Sequence, residues 1–103
     1  MKVLIFEPGK KAKVQEIGNS LEAMQAVVGG YIQAIYPWED EVALVCNDEG
    51  KIAGLPLNRL IFDDEGNLVD VIAGTFFICS APIESENFES LTEEQIIYYS
   101  ELM

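Results

Sequence analysis

Histidine is absent from this 103-residue sequence, arginine occurs once, and only six residues are basic. Without imidazole the chain lacks the commonest general base and the commonest metal ligand. Two cysteines, Cys46 and Cys79, are too few for a zinc site and fit none of its spacings. Each sits in an apolar run, where a free thiol behaves as a small buried hydrophobe, so both are expected to be buried and reduced. No apolar run approaches the roughly 18 residues that cross a bilayer, and Met1–Phe6 stops at Glu7-Pro8, too soon for a signal-peptide core. The expectation is a cytoplasmic protein with no membrane partner. Signatures of a nucleophile elbow, a phosphate loop or a deaminase are also missing.

Acids are abundant instead, 18 of them, and the net charge is −12. Four lysines against two glutamates leave the first twenty residues at +2, so the other 83 carry −14. Such a surface repels nucleic acid, whose binding rests on cationic contacts to phosphate. It favours solubility or a basic protein partner. Hydrophobic residues make up 50%, which excludes a disordered acidic tail. One domain spanning residues 1–103 is expected, of a size that buries only about two thirds of its unfolded surface. A homo-oligomer would bury more.

Lys2–Phe6 and the alternating Lys11–Ile17, joined by Glu7-Pro8-Gly9-Lys10, read as a hairpin. A short helix over Ser20–Val28 follows, with Asn19 as its cap, Glu22 completing a capping box and Gly29-Gly30 as its stop. Tyr31–Tyr36 and Glu41–Asn47 read as strands, the second with Val42, Leu44 and Cys46 on one side. Trp38, in the turn between them, reads as either a lid on the core or an exposed anchor.

Asn47-Asp48-Glu49-Gly50 and Asp63-Asp64-Glu65-Gly66 look like one tight turn used twice, each with a glycine free to take positive φ. Neither has the alternating ligands of a calcium loop. Gly54-Leu55-Pro56-Leu57-Asn58-Arg59 reads as a stiff loop ending in a guanidinium, and Leu68–Cys79 as a long apolar strand bent at Ala73-Gly74. Ser80–Ser90 is a polar connection. A C-terminal helix begins at Thr92, with Gln95 completing its box and Leu91 and Ile96 at the staple positions. These elements predict an α+β fold, a largely antiparallel sheet of five to six strands with one short helix after the first hairpin and a C-terminal helix.

Arg59 is the informative residue for function. A lone guanidinium on a proline-stiffened segment suits bidentate capture of carboxylate or phosphate. The alternative is an ion pair with Asp63, Asp64 or Asp70. Asn58, Gly74 and Thr75 are the neighbours expected to supply neutral hydrogen bonds, so the candidate ligand site is Asn58, Arg59, Gly74 and Thr75. No cofactor, metal or catalytic residue is expected.

Three segments, Gly54–Arg59, Asp70–Ile78 and Phe88–Gln95, resemble a small uncharacterised family catalogued as a domain of unknown function and found in phages and conjugative elements of gut bacteria. That resemblance covers most of the chain and implies a mobile-element accessory protein. By association it suggests a counter-defence factor in the host cytoplasm. The leading expectation is a non-enzymatic binder that sequesters a small anionic, nucleotide-like ligand. The alternative is an acidic decoy, a nucleic-acid mimic that inhibits a basic host defence protein.

Overall fold

Alternation along three strands builds the molecule. In a computed structural model describing residues 1–103, β1 (Lys2–Phe6), β7 (Phe76–Ser80) and β4 (Val42–Asn47) lie side by side. Their odd and even positions feed two separate cores, because successive side chains on a strand leave opposite faces. Val3, Ile5, Ala43, Val45, Phe77 and Cys79 face one way; Leu4, Phe6, Val42, Leu44, Cys46, Phe76 and Ile78 face the other. β2 (Lys13–Glu16) and β3 (Ile32–Ile35) form the edges, giving the order β2-β1-β7-β4-β3 with every pairing antiparallel.

The first face is covered by α1 (Leu21–Val28) through Met24 and Val28. Its cap is Ser20, whose hydroxyl accepts from the Ala23 amide at 3.1 Å, and not the expected Asn19. Asn19 instead donates to the Phe88 carbonyl at 2.7 Å, an acceptor 69 residues away that local pattern does not reveal. Gly29 ends the helix at φ +79° with its amide on Gln25, as the glycine pair suggested.

The second face is covered by a two-stranded ribbon, β5 (Leu57–Phe62) and β6 (Leu68–Ala73), and by α2 (Glu93–Leu102). Ile61 and Ile72 from the ribbon and Ile96 and Tyr99 from α2 complete that core with Leu91 and Trp38. The Thr92–Gln95 capping box forms with both bonds present, and the staple residues Leu91 and Ile96 are both buried. Trp38 is a core residue tied by its indole N–H to the Phe62 carbonyl at 3.0 Å.

Two expectations change. The run Leu68–Cys79 is not one bent strand: Gly74, at φ +83°, carries the chain from the ribbon into the centre of the main sheet. The two acidic turns are not alike either. Asp63–Gly66 closes the ribbon hairpin with Gly66 at φ +83°, whereas Gly50 keeps a negative φ in a longer connection between the two sheets. Gly50 is glycine for a different reason: a Cβ there would lie 2.6 Å from the Ala73 carbonyl oxygen.

Cys46 and Cys79 lie on opposite faces of the sheet, so the pair cannot form a disulfide. Burial pushes the Cys46 thiol up to about 11, helped by the nearby Asp70 and Asp48 charges, and the Cys79 thiol up to about 12. Neither thiol is therefore expected to react with Ellman's reagent at pH 8 in the native protein. Both should react in 8 M urea; fast native labelling of either would contradict the packing.

Candidate functional site

A bulge brings the candidate residues together. The register of β5 on β6 shifts between Leu57 and Arg59, which leaves Asn58 as an extra residue in the strand. Consecutive strand residues normally point to opposite faces, but the bulge turns both Asn58 and Arg59 toward the main sheet. The Asn58 carboxamide donates to the Phe6 carbonyl at 2.8 Å and to the Gly74 carbonyl at 2.9 Å. Its oxygen accepts from Arg59 Nη1 at 2.7 Å. Arg59 is therefore held in a strand, and not at the end of a loop as its sequence neighbours suggested.

The guanidinium lies over the Phe6 ring, 5.6 Å from its centroid, and Phe6 is itself stacked on Phe76 at 4.8 Å. Nε donates to the Met103 main-chain oxygen at 3.3 Å and Nη2 to the Lys10 carbonyl at 2.6 Å. No carboxylate side chain comes within 4.0 Å of it. The three aspartates expected to compete are engaged elsewhere. Asp70 pairs with Lys51 at 2.5 Å, Asp64 accepts from the Glu39 amide, and Asp63 accepts from the Glu65 and Asn67 amides of its own turn. Every acceptor on Arg59 is neutral or main-chain oxygen, so its charge is oriented without being neutralised by a side chain.

Arg59 forms the wall between two hollows. On one side is a cavity of about 340 Å³ lined by Trp38, Leu60, Phe62, Tyr98 and Leu102 together with Asp63 and Asp64. On the other is an open depression of about 520 Å³ lined by Lys10, Lys11 and Ser100. One hollow is aromatic and aliphatic, the other cationic. Lys10 and Lys13 share Glu7, at 3.9 and 2.9 Å, while Lys11 has no ion-pair partner. Four of the six basic residues thus collect at one corner of an acidic protein.

Of the four residues expected to form the site, Asn58, Arg59 and Gly74 meet. Thr75 does not join them. It lines a shallow hollow on the α1 face, with Ile5, Glu7 and Val27, because the Gly74 turn moves the next residue to the other side of the sheet. Gly74 contributes its carbonyl and no open space, since a Cβ there would meet Leu55 at 2.7 Å. Sequence reasoning missed Lys10, Lys11, Trp38 and Tyr98 as neighbours of Arg59. The lysine cluster was visible, but its partner lies 49 residues away.

The amides of Asn67 and Glu65 hold the Asp63 carboxyl below the usual range, and Lys13 with Lys10 does the same for Glu7. Burial, with the Asp40 carboxylate that accepts from its hydroxyl at 3.0 Å, pushes the Tyr99 phenol up. With the two cysteines, these shifts all move away from neutrality. No group of three or more Cys, Asp or Glu side chains is placed to hold a metal ion, and no helix is long and apolar enough to cross a membrane.

A family model described as a domain of unknown function, DUF3846, matches residues 1–103. No curated protein and no solved structure matches the chain.

Proposed function

The chain belongs to the DUF3846 family along its whole length, and for this member we propose a non-enzymatic binding function. It holds a small anionic, nucleotide-like ligand across Arg59. The base lies in the aromatic cavity beside Phe62 and Tyr98, and the phosphate lies in the depression with Lys10 and Lys11. The observation that carries this reading is the position of Arg59 as the shared wall of an apolar and a cationic hollow. A ligand with a flat ring at one end and negative charge at the other matches both. In a phage or mobile element, such a protein would act in the host cytoplasm as a counter-defence sponge for a nucleotide signal.

Isothermal titration of the full chain with cyclic di-AMP and with ADP-ribose tests this. We expect a saturable heat with at least one of them, and an affinity at least tenfold weaker in the double variant Lys10→Ala, Lys11→Ala. Both side chains are exposed, and the Lys10 carbonyl that Arg59 uses is retained. No heat with either compound, or an unchanged affinity in the variant, would end the reading.

A second reading, an acidic surface that docks a basic host protein, is favoured by a different place. A groove of about 460 Å³ runs between the β3–β4 turn and the 80–90 segment, with Glu39, Asp40, Glu41 and Glu86 around Tyr36 and Ile83. Capture of a basic partner there would weaken steeply with salt.

A further inference from the structure

The outer face of the β5–β6 ribbon is apolar and has nothing on it. Ile61 and Ile72 point into the core, and the register shifts at Asn58 and between Ile61 and Phe62 leave apolar side chains from both strands on the outer side. Leu57, Leu60, Phe62, Leu68 and Val69 are exposed by 70, 54, 46, 56 and 45%. Together they present on the order of 500 Å², near the upper end of what a monomer's largest apolar patch reaches. Across the aromatic cavity, Tyr98 and Leu102 extend the surface to roughly 750 Å², close to the roughly 800 Å² per partner that a standard interface buries.

We propose that this face is the interface of a homodimer, in which the ribbon of one chain packs on the ribbon of a second copy. Charge selects the occupant. The outward strand positions of the ribbon carry no carboxylate, and Asp63 and Asp64 of the adjoining cavity already accept from main-chain amides, so a basic protein finds little to pair with there. At −12, the chain is also repelled by an anionic lipid surface. A second copy brings a matching apolar face, and self-complementarity is what a two-fold interface requires. Because Leu60 and Phe62 also line the aromatic cavity, the partner's ribbon would wall that cavity's outer side. The interface stands on the apolar face alone and does not depend on the ligand.

Sedimentation velocity on the full chain tests it. The wild type is expected to sediment as a dimer at 50 µM. The dimer should tighten as sodium chloride rises from 50 to 500 mM, since salt screens the repulsion between two acidic chains. The surface variants Leu60→Glu and Phe62→Glu should each weaken it at least tenfold while keeping the wild-type circular dichroism. Hydrogen exchange of the unaltered protein at 1 and 100 µM gives a second reading that needs no mutation. Protection at 57–62 and 68–71 should rise with concentration. A monomer at 100 µM, a dimer unaffected by both glutamates, or protection unchanged in those segments would overturn the proposal.

Discussion

Phe6→Ala is expected to cost about 4–6 kcal/mol of stability, read as a lowered urea midpoint with an unchanged slope. The ring is fully buried, stacked on Phe76 with planes 10° apart, and lies beneath the Arg59 guanidinium. Removing it opens a cavity in the core between the sheet and the ribbon, which accounts for roughly 3–5 kcal/mol. The lost aromatic and cation–π contacts add about 1 kcal/mol. A domain of this length holds about 5–15 kcal/mol in all, so the variant would lie near the edge of folding. A loss below 1 kcal/mol would mean that the ribbon does not rest on Phe6.

Asn58→Leu is expected to cost about 2–4 kcal/mol, although the new side chain has the same branched shape and the same number of heavy atoms. The carboxamide joins three segments at once, through Phe6 in β1, Gly74 at the sheet-to-sheet crossing and Arg59 in its own strand. Leucine withdraws a donor from two carbonyls and removes an acceptor from the guanidinium. The cost of a stranded buried polar group exceeds the net value of the bond that satisfied it. Thr75→Val, on the opposite face, should stay within about 0.5 kcal/mol of wild type in the same urea titration. Equal losses in the two variants would contradict the separation of these residues across the sheet.

These two residues also mark where the sequence was readable. β1 and β4 were legible as strands because each is a short apolar run bounded by turn residues, and the apolar content of β7 was legible although its start was not. The Thr92–Gln95 box and the Gly29 stop were legible because capping is local, settled within four residues. The crossing at Gly74 was not. A continuous apolar run looks the same whether it stays in one sheet or passes between two, and only the pairing partners decide. The bulge at Asn58 was hidden for the same reason: it exists only relative to β6, and Pro56 and Asn58 are poor strand formers taken alone. Gly50 resembled Gly66 in its neighbours, yet one is required by the Ala73 carbonyl pressing on it and the other by its φ.

The arrangement around Arg59 was half visible. Its solitude in the composition pointed to it, and its company came from tertiary structure. The amino-terminal lysines reach it because β1 and β2 flank the main sheet on the side where the ribbon folds down. Ser100 and Met103 reach it because α2 packs beside the ribbon. The same packing places Trp38 on the aromatic side, with Tyr99 at 4.9 Å and Tyr98 beyond it. A cation in the open would be hydrated and mobile. Here it is fixed by main-chain oxygens and backed by a ring, which lowers the ordering cost of meeting an anion.

One arginine and one tryptophan give the molecule two side-chain N–H signals of their own, Arg59 Nε and Trp38 Nε1, one on each hollow. Following both in a ¹H–¹⁵N correlation spectrum during titration with cyclic di-AMP and then ADP-ribose reads the two hollows together. The proposed ligand position predicts that both signals shift along one saturation curve. Signals that stay in place at millimolar concentrations of both compounds would contradict it.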